Sequence, residues 1–405
     1  MTDSIAFGKE FPETRQATAL QLAPGIAFGL THVLSDVEQT WRTLGARGVE
    51  SPGQSYDFIQ LWTATLGIPR TDQFYLTATL NGRPLALLPL HRRKVRGVRI
   101  LSWLPGPHVG CNAPLVDERS LAAMSSDERR ALWQGLLAGI EGADAVYLKA
   151  IPQTMRAGID LFAELGHSLD SDTLYRSEFA SWDEANTTQR NKSRRKHDRQ
   201  QGERLEALGA VDFETIGNGP KALDVLDTMF KQRAARFRTM GVSDPFARRE
   251  IRRFYDETAW AGSRVPVKLH VLRLAGEIVA VRYNIVAGER LFCLISSMSD
   301  DLTIQVGSPG KQCLLRVMQT EFDAGTRMFD MGAGFTDEKR HWCNVHIPVR
   351  QHYLPITGRG ALAIAAHRTW AILRQRIKSD ERLLKWAKGL RGALLRLKGQ
   401  PAIGD

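Results

Sequence analysis

The sequence predicts an α+β protein, layered as α/β, with two tandem mixed sheets, flanking helices and a basic helical tail. Three observations predict it. Residues 74–104 (FYLTATLNGRPLALLPLHRRKVRGVRILSWL) and 269–298 (LHVLRLAGEIVAVRYNIVAGERLFCLISSM) share the order strand, turn, strand, polar turn, strand. Their first turns and second strands align without gaps, Leu80, Gly82 and Ala86 standing opposite Leu274, Gly276 and Ala280. Each meander leads into a helical pattern and a further apolar strand, at residues 127–141 and 145–151 in the first unit and 310–324 and 328–331 in the second.

Each unit opens on helical material. Phe58, Ile59, Leu61, Trp62 and Leu66 recur at helical spacing in the first, and Leu223, Leu226, Met229 and Phe230 in the second. A strongly basic segment between them, QRNKSRRKHDRQ from Gln189, predicts a helix running towards Leu208 and stopped by Gly209. This places a boundary near residue 180, with units at 1–180 and 181–357 and an extension at 358–405.

At 405 residues, 43% hydrophobic and 24% charged, the chain has the composition of a globular protein large enough for two domains. Its net charge of +11 favours anionic partners, but residues 368–398 alone carry a net +8, so the body is only mildly basic. Cys111, Cys293, Cys313 and Cys343 form no CxxC pair, which suits a reducing compartment. The N-terminal MTDSIAFGKEFPETRQ lacks the basic-then-apolar pattern of a secretory leader, and no run reaches the about 18 apolar residues of a spanning helix. A cytoplasmic protein is the expectation. In the tail, Leu362, Ala366, Trp370, Leu373 and Ile377 form one apolar stripe and Leu383, Trp386, Leu390, Leu394 and Leu397 a second, among basic residues. Such a face either docks on the protein body, lies on an anionic membrane or takes a partner protein.

Titratable groups and phosphate-binding geometry come together most compactly between Gln305 and Trp342. Ser308-Pro309-Gly310 either aims helix amides at a phosphate, with Lys311 as counter-charge, or merely caps a helix with Ser308 and Pro309. Asp330, in the strand FDMGAG, is either a base or amine anchor, or a structural partner for a nearby backbone group or arginine. Asp337 to Trp342 reads as a solvated charge run or as part of the site. His341, Cys343, His346 and His352 do not have the spacing of a known zinc knuckle, and no metal is expected. The run from Arg190 to Arg199 has no interleaved aromatics, so a solvated helix face or an anionic-ligand contact is expected there and nucleic acid is not.

The order of these features resembles a known family. Ser193, Arg194 and Arg195 on a basic helix come first, then Arg236-Phe237 before Gly241, the meander, the SPG loop, FDMGAG, and Lys339 three residues before Trp342. Residues 180–345 are thereby similar to the bacterial acetyltransferases associated with cellulose and exopolysaccharide biosynthesis (CelD/BcsL type). These are of the GNAT superfamily and related to the Fem-type transferases with duplicated folds. SPGQSYDFIQLW and LALLPLHRR extend the likeness more loosely into the first unit.

The resemblance implies two GNAT-like units. It further implies an acyl-CoA-dependent N-acyltransferase, with acetyl-CoA or another acyl-CoA as co-substrate and direct transfer to a small-molecule or sugar-linked amine or hydroxyl in an envelope-polysaccharide pathway. Carried over by position, Gln305, Gly307, Ser308, Gly310 and Lys311 become cofactor candidates. Asp330, Lys339 and Glu338 become catalytic candidates, Glu338 standing where the family has a tyrosine. Arg236 and Trp342 become substrate contacts. The glycines of Gln305–Gly310 depart from the superfamily's Q/R-x-x-G-x-G/A spacing. A Fem-like transferase using aminoacyl-tRNA, and a silent scaffold tethered to a membrane by the tail, are the rival expectations. The first unit has no SPG loop between its meander and the helix that follows, and reads Ala145-Val-Tyr-Leu-Lys149 where the second has Met328-Phe-Asp-Met331, which places the chemistry in the second.

Overall fold

The two meanders lie towards opposite ends of one continuous sheet. The computed structural model describes residues 25–379 apart from 156, 157, 159, 166 and 167. The first unit contains β1 (Ile26–Thr31), α1 (Glu38–Gly45), α2 (Tyr56–Thr65), β2 (Gln73–Leu80), β3 (Arg83–Val95), β4 (Val98–Trp103), β5 (Leu115–Val116), α3 (Glu118–Ala123), α4 (Ser126–Ala138), β6 (Ala145–Pro152) and β7 (Ser168–Glu178). The second begins with α5 (Trp182–Gln189), α6 (Lys192–Glu206), β8 (Val211–Ile216), α7 (Pro220–Thr239), α8 (Arg249–Ala259), β9 (Val267–Leu274) and β10 (Glu277–Ala287). It continues through β11 (Arg290–Met298), α9 (Leu302–Gln305), α10 (Pro309–Asp323), β12 (Met328–Ala333), α11 (Asp337–Trp342), β13 (Val345–Pro355) and α12 (Gly358–Ser379).

Local chemistry sets the repeated parts. Asn81-Gly82 and Ala275-Gly276 both have positive φ at the two turn residues, the twist that joins antiparallel strands tightly. Ser125 and Glu128 close a reciprocal capping box at the start of α4, and Ser55 caps α2. The basic segment forms one helix, α6, which runs as far as Glu206, and the separate α5 ends at Gln189 before it. Asn191 Oδ1 accepts from the Arg194 N–H at 2.8 Å and starts α6, while extended Arg190 pairs with Asp198.

Across the sheet the order is β1-β2-β3-β4-β6-β13-β7-β12-β11-β10-β9-β8, with β5 on β3. The last strand of each unit therefore lies inside the other. β7 runs antiparallel to β12 and β13, and β13 antiparallel to β6 and β7. One apolar core packs α4 on the first unit's strands, and another packs α10 on the second's. A third joins the units through α1, α2, α7 and α8, where Phe58 and Trp62 each meet Phe254 with ring centroids 4.9 Å apart. Exchanged strands and a shared core make the relative position of the units part of the fold.

The tail stripe does not dock. Leu362, Trp370 and Leu373 are 74%, 59% and 47% exposed, because α12 turns its other side to β13, β4 and β6. The second stripe lies outside the described residues. Among the described residues no helix is long and apolar enough to cross a membrane.

Candidate active site

Two pairs of parallel strands open the sheet. β11 and β12 pair at Arg290–Met328, Leu291–Phe329 and Phe292–Asp330, then separate. β4 and β6 pair at Ile100–Ala145 and Leu101–Val146, then separate likewise. Backbone groups facing such a split lose their ladder partners and can hold an extended ligand. In β12 the departure is built by Asp330 and Gly332: Asp330 Oδ1 accepts from the Gly332 N–H at 3.0 Å, and Gly332 has φ +75°. Gly110 of the first unit packs on this bend so closely that a Cβ there would sit 3.2 Å from Gly332 Cα.

Both splits open into one cavity of about 860 Å³, large enough for a substrate-sized molecule. Cys293, Ile295, Met331 and Lys339 line the second unit's split, and Trp103, Tyr147 and Lys149 the first's. Arg233, Phe246 and Tyr255 close one side, and the first unit contributes His108 opposite them. His108 Nδ1 lies 3.3 Å from Tyr255 Oη, and its ring packs 5.2 Å from Trp62. Burial, reinforced by Arg248, lowers the His108 pKa, so its imidazole is neutral at pH 7. Burial pushes the Cys293 thiol up to about 12, which removes it as a nucleophile at neutral pH.

Among the residues expected from the sequence, Lys339 lines the cavity. Its Nζ donates to the carbonyls of Gly332, Ala333 and Gly334 at 3.1, 2.8 and 2.8 Å, and burial lowers its pKa. Asp330 is buried behind the wall, not free in the cavity. Its Oδ2 accepts from Arg176 Nε at 3.0 Å, and Arg176 Nη2 reaches Glu50 Oε2 at 2.5 Å. Glu338 pairs with Arg282 at 2.5 Å. Trp342 is 3% exposed and stacks on Trp182 at 5.8 Å, so it is a core residue rather than an open contact. Arg236 is exposed on the last turns of α7, outside the lining.

The cofactor candidates gather at the start of α10 but do not fit a pyrophosphate. The amides of Gly307 and Ser308 donate to Ile304 and Gln305, and those of Lys311 and Gln312 both donate to the Ser308 carbonyl. Pro309 has no N–H, which leaves the Gly310 amide. Lys311 Nζ is held by Gln201 Oε1 at 2.7 Å and Asp198 Oδ1 at 3.2 Å. Gln305 Nε2 donates to the Ser299 carbonyl. The glycines answer to packing: a Cβ on Gly307 would meet Leu205 Cβ at 2.8 Å, and one on Gly310 would meet Met298 Sδ at 3.1 Å. Ser308 occupies the N-cap position at φ +50° without side-chain capping, its hydroxyl accepting from Gln201 at 2.8 Å. α6 thus covers the turn that sequence alone makes look like an anion cradle.

Sequence reasoning missed His108, Tyr255 and the whole first-unit wall. The signal available was thin, a histidine in a Pro/Gly-rich loop directly after an apolar strand. Among the described residues no group of three or more His, Cys, Asp or Glu is placed to hold a metal ion.

A family model described as an acetyltransferase (GNAT) domain matches residues 192–340. Among solved structures, FemX is similar with a TM-score of 0.54 at 11% identity, over 80% of this chain and 96% of that one. L-PGS from Bacillus licheniformis has a TM-score of 0.48 at 13% identity, over 82% and 96%. A tandem GNAT protein from the clavulanic acid biosynthesis pathway has 0.44 at 12%, over 82% and 98%. No curated protein sequence gives a match. The fold is GNAT-like, a mixed α/β arrangement around a large mixed sheet.

Proposed function

We propose that the protein is an acyltransferase that carries an activated acyl group to an amine acceptor held in the cavity between its units. The observation that supports this most is the opening of β11 from β12 into a cavity that holds a neutral, half-buried imidazole. The acyl carbonyl lies in the split, and the amine attacks it from the side of His108 and Tyr255. With Nδ1–H donating to Tyr255 Oη, His108 Nε2 takes the proton that the amine loses. The leaving group departs with the electrons of its bond to the acyl carbon, and no covalent enzyme intermediate is needed. Lys339 holds the end of β12 through its three carbonyls, and Asp330 holds the bend through Gly332; both are positioning residues.

The donor is an activated thioester or ester. Because the α10 turn suits a pyrophosphate poorly, the test presents acetyl-CoA, longer acyl-CoAs and aminoacyl-tRNA side by side with a panel of labelled amines. Transfer from one donor class that drops in His108→Gln supports the reading. Absence of transfer and of donor hydrolysis with every donor overturns it. The exposed stripe Leu362–Trp370–Leu373, with Arg359 and Arg376 on the same helix, supports a peripheral contact of α12 with an anionic bilayer.

A further inference from the structure

The cavity is electrostatically lopsided. Arg93, Lys149, Arg233, Lys339 and Arg374 line it, and Asp172 is the one carboxylate among the described lining residues. Two of the five cations are already satisfied. Arg233 Nη1 donates to the Ser296 carbonyl at 2.7 Å and its guanidinium lies over Phe237 and Phe246, while Lys339 is held by three carbonyls. The side chains of Arg93, Lys149 and Arg374 have no hydrogen bond or ion pair among the described residues.

These three come from separate elements, β3, β6 and α12, and line the same cavity, where the first unit's split opens. Tyr147 and His367 lie among them, ring centroids 5.3 Å apart. Asp172 makes no ion pair with any of the three among the described residues: its Oδ1 accepts from the Thr173 N–H at 2.8 Å, and its charge favours that of Lys339. Like charges left unpaired on one wall repel, and an anion held between them converts that repulsion into attraction. A carboxylate brings one charge. A phosphate ester brings up to two, with several acceptor oxygens, which matches an arginine fork and two further cations.

We propose that the first-unit end of the cavity binds a phosphate ester carried by the acceptor, so that the acceptor is a phosphorylated amine rather than a neutral one. This rests on the acyltransfer reading for the word acceptor, but the anion site itself does not. Phospholipid headgroups and soluble sugar phosphates offer the same chemistry to these three cations.

The test uses the full chain and no acyl donor. Binding of inorganic phosphate is followed by calorimetry against chloride at equal ionic strength. Binding to vesicles of phosphatidylglycerol is followed by sedimentation against phosphatidylcholine. Each is repeated with the double variant Arg93→Gln/Lys149→Gln and, separately, with Arg374→Gln. The expected result is binding in at least one arm, weakened about tenfold or more in the double variant at unchanged Tm. A response to phosphate alone assigns a soluble ester, and vesicle binding that falls in the double variant, which leaves the α12 face intact, assigns a headgroup. Binding in neither arm, or binding that both variants keep in full, overturns the proposal; if the double variant unfolds, Arg374→Gln decides. Phosphate binding by a chain that gives no transfer in the donor panel above overturns the acyltransfer reading and leaves the anion site standing. Transfer in that panel with no phosphate or vesicle binding does the reverse.

Discussion

Arg176 Nε donates to Asp330 Oδ2 at 3.0 Å, joining a strand of the first unit to the bend of β12 in the second. Arg176 is 3% exposed and Asp330 4%, and Glu50, 2% exposed, meets the same guanidinium. Burial opposes the charge on Arg176, but Asp330 and Glu50 more than offset it and raise its pKa. Each member is costly to bury alone and tolerable only with the others.

Arg176→Met leaves two buried carboxylates without their shared cation. Urea denaturation should show unfolding free energy lower by about 3–5 kcal/mol. A loss below about 1 kcal/mol, the scale of a surface pair, would mean that the network contributes little.

His108 is the group whose ionisation should shape the rate. Its folded pKa is lowered by burial, so the neutral base persists below the ordinary histidine value and is lost only as pH falls further. The acid limb of kcat/KM against pH is expected below about 6.5. In His108→Gln that limb should vanish, with kcat/KM down about 100-fold or more. In Asp330→Asn the limb should stay where it is, whatever the loss of stability, since Asp330 positions and does not take the proton. Movement of the limb in Asp330→Asn and not in His108→Gln would reverse the two roles.

Glu321 sets a pH window for stability. Buried at 1%, it accepts from His270 Nε2 at 3.0 Å and from Lys268 Nζ at 2.9 Å, and these partners outweigh burial to lower its pKa from 4.5 to about 2. A depressed carboxylate pKa stabilises the fold fully above the unfolded value and progressively less as pH falls through the folded one. The Tm gap between wild type and Glu321→Gln should hold at neutral pH, begin to close below 4.5 and be nearly gone at about 2. A gap that stays constant across that range would show that Glu321 is not ionised in the folded protein.

The α12 face gives a readout without chemistry. Trp370→Ser with Leu373→Ser should reduce sedimentation with phosphatidylglycerol vesicles about tenfold while Tm is unchanged, because both side chains are solvent-exposed and leave no cavity behind. Unchanged vesicle binding would remove this face from any membrane contact.

Much of the fold was legible because its signals are local. Asn81-Gly82 and Ala275-Gly276 announce their hairpins, the apolar spacings announce α2 and α7, and the matching order of elements announces the duplication. The exchange of β7 and β13 was not legible, since a strand's hydrophobic alternation says which face is buried and not which neighbour it pairs with. For the same reason the site looked confined to the second unit. Asp330 was visible as a carboxylate in an apolar strand, but its partner Arg176, and Glu50 on the same guanidinium, come from far along the chain. The SPG turn carried a phosphate-like pattern whose amides turned out to be used internally beneath α6.

By itself, then, the sequence determined the elements, their repetition and the basic tail, because propensity, turn chemistry and periodicity act over a few residues. Only the tertiary structure decided which residues line the candidate site. Two parallel pairs split into a single cavity, and His108 of one unit faces Tyr255 of the other, through contacts between residues far apart in the chain that no local pattern encodes.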